Sequence, residues 1–102
     1  MVEAELLKSI ATQLMTGKSV SIESKSVPVR RTSSQRLKTA AFSVGGHEYR
    51  AIEQNREKPS RWGQLARSGH QVVQFKDVER NKFVAVVVDG EVTTYGVGKK
   101  RP

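Results

Sequence analysis

The chain has 102 residues, a formal net charge of +8 and no cysteine. This length suits one domain with a modest core, and the lack of cysteine excludes disulfides, thiolate nucleophiles and cysteine-ligated zinc. The sequence contains neither the apolar run of a membrane span nor the apolar stretch of a signal peptide near its start. We therefore expect no membrane partner and a cytoplasmic location.

The first predicted element is an amphipathic helix over residues 3–16. Its apolar side chains recur at spacings of three and four, which places them on one face. They are Leu6, Leu7, Ile10, Leu14 and Met15. Gly17 follows at a position where helices commonly end.

Short strands are predicted next at residues 19–22 and 26–29, where Pro28 restricts the second strand to an edge or a break. Residues 32–35 are polar and indicate a loop. The clearest hairpin covers residues 39–52, because Gly45-Gly46 suits a two-residue turn. Such a turn predicts three pairs on one apolar face: Val44 with His47, Phe42 with Tyr49 and Ala40 with Ala51.

The second half begins with a short helix near residues 60–68, because Pro59 suits a first helical turn and Ser60 can cap it. Strands follow at 71–76, 82–88 and 91–95, with Asp89-Gly90 as a turn between the last two. Residues 83–88 are apolar on both alternations, which predicts a central strand covered on both faces.

These elements predict an α+β fold with an N-terminal amphipathic helix and a mainly antiparallel sheet of about five to six strands. We expect residues 1–96 to form a single domain and residues 97–102 to form a basic flexible tail.

The basic residues are concentrated in one segment. Residues 24–47 contain no aspartate or glutamate and supply five of the eight net positive charges. Clustered cations attract a polyanion, whereas scattered cations mainly maintain solubility. We therefore expect RNA or DNA as the partner, bound mostly through phosphates with weak sequence specificity. The candidate contacts in this segment are Lys25, Arg30, Arg31, Arg36 and Lys38.

A second candidate group surrounds the single tryptophan. An exposed Trp62 would stack on an unpaired base, with Arg61 and Arg67 on the backbone. The spacing of Trp62, Leu65 and Ala66 also fits burial against the sheet, and that alternative stays open. The hypothesis requires both basic groups to converge on one surface.

Two other functions remain as alternatives. A protein-interaction module would use the strand edge at residues 19–29 or the apolar stripe of the first helix to accept a partner or a second copy. A small ribonuclease would use His47 as a general acid or base, with Tyr49 on the same sheet face and Arg50 on the other. Because no close set of histidine and carboxylate ligands is visible, we expect no metal and no cofactor. We expect a binding protein, not an enzyme.

Overall fold

The computed structural model describes residues 3–95, so the predicted tail at 97–102 lies outside the described residues. The elements, in chain order, are α1 (Ala4–Thr16), β1 (Ser19–Ile22), β2 (Lys25–Pro28), β3 (Arg30–Arg31), β4 (Lys38–Val44), β5 (His47–Glu53), α2 (Arg61–Arg67), β6 (Val72–Asp77), β7 (Lys82–Val88) and β8 (Glu91–Thr94).

The strands form two antiparallel sheets. β1 pairs with β2 alone, whereas β3 to β8 form a six-stranded sheet in which each strand pairs with the next one along the chain. This arrangement confirms the predicted α+β fold and its mainly antiparallel sheet. It also confirms the two early strands, although they form a separate hairpin beside the main sheet.

Helix α1 confirms the first predicted element. The middle of its stripe is fully buried, with Leu7, Ile10 and Leu14 at most 2% exposed, whereas Leu6 and Met15 are half-buried. The helix ends at Thr16 because the chain turns extended at Gly17, whose N–H donates to the carbonyl oxygen of Gln13. Burial of this stripe supplies most of what holds the helix in place, since a helix of this length is marginal in water by itself.

The two faces of the six-stranded sheet are covered to different extents. Helix α1 and the β1–β2 hairpin pack on one face, which we call the helix-covered face. The opposite face, which we call the open face, carries only α2 among the described elements, at one end of β6 and β7. The larger apolar core therefore lies on the helix-covered face.

The hairpin of β4 and β5 has the predicted register. Val44 pairs with His47, Phe42 with Tyr49, and Ala40 with Ala51. Gly45 and Gly46 both have positive φ, of 61° and 81°, as a primed two-residue turn requires. In the core, the ring of Phe42 stacks on Tyr49 at 5.7 Å and meets the ring of Phe75 edge-on at 6.2 Å.

Strand β7 differs from its prediction in one respect. It is the fifth of six strands, and Val86 and Val87 are buried on opposite faces, as expected. Phe83 at its start is 47% exposed, so the expectation of cover on both faces is wrong there. The reason is a β-bulge opposite Phe75 and Lys76, which changes the alternation of β7 before Ala85.

Helix α2 is held on the open face by a small apolar cluster and by local hydrogen bonds. Its Ala66 packs with Val72 and Val86. The hydroxyl of Ser60 accepts a hydrogen bond from the backbone N–H of Gly63 at 3.2 Å, which confirms the predicted cap. Gly63 is required here because a Cβ at this position would lie 2.1 Å from the carbonyl oxygen of Lys58.

We expect Gly63→Ala to lower the free energy of unfolding by about 1–3 kcal/mol, because the added methyl overpacks the contact with Lys58. This loss should exceed the small helix-propensity gain from alanine. Urea unfolding measures it. Gln64→Ala is the control, since Gln64 is exposed on the same helix. Equal stability of Gly63→Ala and wild type would contradict the close approach.

The C-terminal end of α2 is linked to the β7–β8 turn through Asp89. One carboxylate oxygen lies 2.6 Å from Nδ1 of His70, and the other accepts the backbone N–H of Gln71 at 2.9 Å. The hydrogen bond with His70, followed by that from Gln71, lowers the pKa of Asp89 below its ordinary value of 3.8. The ionised carboxylate is therefore favoured in the folded state.

This link predicts a defined pH dependence of stability. The carboxylate of Asp89 is protonated more readily in the unfolded state than in the folded state. Its contribution to the free energy of unfolding is therefore present above pH 3.8 and is lost as pH falls through the lowered folded-state pKa. Asp89→Asn should be less stable than wild type at neutral pH, and this difference in stability should shrink as pH falls below 3.8 through the lowered folded-state pKa. Asparagine tolerates the positive φ of 50° at this position. Thermal unfolding across this range tests it, and a constant difference would contradict it.

Candidate nucleic-acid interface

The five cations of the acid-free segment lie on different parts of the molecule. Lys25 is exposed beside the turn of the β1–β2 hairpin. In the main sheet, Arg30 pairs with Thr39 and Arg31 pairs with Lys38. Because neighbouring residues on a strand point to opposite faces, Arg30 lies on the open face, whereas Arg31 and Lys38 lie on the helix-covered face.

Two of these cations make hydrogen bonds inside the domain. The Lys38 ammonium donates to the carbonyl oxygen of Met15 at 2.9 Å, in the last turn of α1. A cation there also interacts favourably with the helix dipole. Arg31 donates to the carbonyl oxygen of Arg36 at 2.8 Å, and the backbone N–H of Arg36 donates to Thr32. Both cations thus contribute to local structure.

The residues around Trp62 lie on the open face with α2. Arg67 donates to the carbonyl oxygens of Arg56 and Lys58, which holds the loop that precedes the helix. Arg61 is exposed, and its guanidinium carbon lies 5.5 Å from the centroid of the Trp62 ring. A cation at this distance is attracted to the ring face.

Trp62 is half-buried and packs in the cluster below α2, beside Val88 and Tyr95. Burial raises the pKa of Tyr95, and a hydrogen bond with Trp62 partly offsets that rise. The structure therefore places the ring mainly in a packing role, as the spacing of Trp62, Leu65 and Ala66 indicated.

The eight predicted contact residues do not converge on one surface. The open face carries four of them, Arg30, Arg61, Trp62 and Arg67. Arg30 lies on β3 at one edge of the sheet, whereas α2, which carries the other three, packs on β6 and β7 toward the opposite edge. The remaining four lie on the helix-covered side or in the loop between β3 and β4. The two basic groups therefore do not converge as the hypothesis required, and basic residues are present on both faces.

The open face also carries a set of residues that the sequence did not indicate as nucleic-acid contacts. Three neighbouring strands place Arg50, Lys76 and Phe83 side by side, because Arg50 pairs with Lys76 and Lys76 pairs with Phe83. We call these three residues the exposed row; Arg50 and Phe83 are exposed, and Lys76 between them is half-buried. Ala41 lies beside Arg50 on β4, and its small side chain leaves that end of the row uncovered.

A pair of buried amides separates the exposed row from the apolar cluster under α2. Gln54 and Gln74 are each 9% exposed, and the amide nitrogen of Gln74 donates to the side-chain oxygen of Gln54 at 3.0 Å. Gln74 lies two residues before Lys76 on β6, so both side chains point to the open face. The apolar packing beneath α2 therefore ends before the row begins.

The cations of the row have no carboxylate partner. Residues 3–95 contain all ten acids and 15 of the 18 lysines and arginines; the other three are Lys99, Lys100 and Arg101. In this part of the chain, Arg80 alone among those 15 cations lies within 4.0 Å of a carboxylate, that of Asp77. Among residues 3–95, no carboxylate within 4.0 Å therefore competes with an external anion for Arg50 or Lys76.

The two histidines form exposed pairs with carboxylates. His47 Nδ1 lies 3.1 Å from Glu79, and its side chain is 56% exposed. Tyr49 shares the helix-covered face with His47 but is buried, and burial, followed by the charge of Asp77, raises its pKa. Arg50 points to the other face. The three residues of the ribonuclease alternative therefore do not converge on one point.

Within residues 3–95, no group of three or more histidine, aspartate or glutamate side chains is placed to hold a metal ion. No helix in the same range is long and apolar enough to cross a membrane. No protein-family profile, curated protein sequence or solved structure matches the chain.

The hydrogen bond from Lys38 to α1 gives a stability prediction. Lys38→Met should lower the free energy of unfolding by about 0.5–1 kcal/mol, because it removes a cation and a donor from the end of the helix. Lys25→Met is the matched control, since it removes the same charge from an exposed position. Chemical unfolding of both variants tests the difference, and equal midpoints would show that the contact with Met15 contributes nothing.

Proposed function

We propose that this domain binds nucleic acid through the open face of its sheet, without carrying out chemistry. The observation that supports the proposal best is the exposed row, in which Arg50 and Lys76 lie side by side without carboxylate partners. Unpaired cations on an uncovered sheet face are suited to phosphates, because each contact releases a counterion condensed on the nucleic acid.

Other cations extend this surface in two directions. Arg30 lies on the same face at the first strand, and exposed Arg61 lies on α2. With strands about 4.8 Å apart, β3 and β7 are separated by roughly 19 Å. A polyanion that follows the face across the strands would therefore meet cations along its path. Lys25, Arg31 and Lys38 lie on the helix-covered side and Arg36 lies in the β3–β4 loop. These four cations would add a long-range attraction only.

Binding of this kind is mostly electrostatic and weakly specific for sequence. Lysine and arginine contacts to phosphates position the ligand without reading base edges. The acids near the row are few: Glu48 lies on the open face opposite Ser43, at the hairpin end. RNA and DNA share the phosphate chemistry, and both belong to the proposal.

The protein-interaction alternative loses one of its two surfaces in this structure. The apolar stripe of α1 is buried against the sheet of the same chain, so that stripe is not free for a partner or a second copy. The edge of the β1–β2 hairpin remains a surface for that alternative. Its cations lie away from the exposed row, which makes the two functions separable by mutation.

The proposal predicts a salt-dependent affinity that depends on the exposed row. The double variant Arg50→Gln, Lys76→Gln should bind oligonucleotides at least fivefold more weakly. For a single strand, the plot of log affinity against log salt should become less steep by about 0.7 for each phosphate that no longer meets a cation. Fluorescence anisotropy between about 50 and 200 mM salt measures both quantities.

The matched control is Lys18→Gln, Lys25→Gln. It removes the same net charge from exposed positions on the side of α1 and the β1–β2 hairpin. Equal weakening in the two double variants would show that net charge, not the row, drives binding. No binding by wild type to any RNA or DNA at low salt would rule out the proposed function.

A further inference from the structure

Phe83 reaches the open face because of the β-bulge in β7. Phe75 pairs with Ala85, yet Lys76 pairs with Phe83, so Val84 is the extra residue. In a regular ladder, Phe83 would pair with Asp77 and point toward the helix-covered face. The bulge instead directs Val84 to the larger core, where it packs, and turns Phe83 outward. β-Bulges commonly reorient a side chain in this way.

The environment of Phe83 differs from that of every other aromatic ring among residues 3–95. Phe42, Tyr49 and Phe75 belong to the larger core, and Trp62 and Tyr95 belong to the cluster under α2. Phe83 belongs to neither cluster and is 47% exposed. The exposed part of this large apolar ring gains no burial energy, so burial alone does not account for its outward placement.

The neighbours of Phe83 are cations. Lys76 Nζ lies 5.6 Å from the ring centroid, and Arg50 is the next residue along the row. An aromatic surface beside two unpaired cations matches the chemistry of one nucleotide, whose base presents a π face and whose phosphates are anionic. The lysine can move from the ring to a phosphate at small cost, because its four-carbon stem is flexible.

We infer that Phe83 is a stacking platform for an unpaired base, and that the ligand class is therefore single-stranded nucleic acid. This inference rests on the proposed function and narrows it. In a duplex, the faces of the bases are already stacked on one another, so an aromatic ring on a sheet can reach a base face only in a single strand or an unpaired region. Arg50 and Lys76 then hold the flanking phosphates.

The test compares three ligands of the same length, about 12 nucleotides: a single strand, its duplex, and a strand of abasic sites with the same phosphates. Wild type should prefer the single strand to both others. Phe83→Leu should weaken single-strand binding by about tenfold, within the range that base–aromatic stacking provides. The same variant should bind the abasic strand as wild type does, because leucine removes the π face and leaves every charge.

Phe83→Trp gives a direct reading of the contact. It keeps an aromatic face, so it should retain single-strand affinity, and stacking on a base should quench the fluorescence of the new indole. The abasic strand should cause no such quenching. Trp62→Phe as a background variant removes the native indole signal, and circular dichroism of each variant checks that the sheet is intact.

The outcomes separate this inference from the proposed function. If Phe83→Leu binds the single strand like wild type while Arg50→Gln, Lys76→Gln binds more weakly, the cations bind nucleic acid and the stacking role is overturned. Equal wild-type affinity for the single strand and the abasic strand would also overturn it. If wild type binds none of the three ligands at low salt, both proposals fail.

Discussion

The burial of the α1 stripe against one sheet face determines how the rest of the domain is arranged. A single helix lies across the helix-covered face and, with the β1–β2 hairpin, completes the larger core there. The other face has a seven-residue helix, α2, which is about 10 Å long. Six strands at a spacing of about 4.8 Å span about 24 Å. The second helix is thus too short to cover the face, and much of that face must be compatible with water.

The composition of the open face follows from this limited cover. Where α2 packs, the strands carry valine; the buried amides of Gln54 and Gln74 come next, and beyond them the strands carry arginine and lysine. Such a division satisfies burial on one part and solvation on the other. Phe83 is the exception, because it is apolar and lies where solvation is required. The proposed stacking role would account for this exception.

Local patterns in the sequence were sufficient for most of the fold. The helix stripe, the Gly45-Gly46 hairpin and the Ser60 cap depend on residues near one another in the chain, and each was predictable from that neighbourhood. The faces of Arg30 and Arg31 depend on pairing with β4, and the direction of Phe83 depends on a bulge against β6. Neither of these strand pairings can be recognised from neighbouring residues in the chain. The sequence therefore predicted one basic surface, whereas the fold places these cations on two faces of the sheet.

The position of α1 at the beginning of a meander has a consequence for biosynthesis. Strands β3 to β8 each pair with the preceding strand, so the sheet can grow by short-range steps as the chain emerges. Helix α1 is made early, yet it contacts β4, β5, β7 and β8. Apart from the contact with β1, its apolar stripe stays without its full partner surface until β8 is synthesised. Among the elements of residues 3–95, α1 therefore waits longest for its partners and needs protection from aggregation in the meantime.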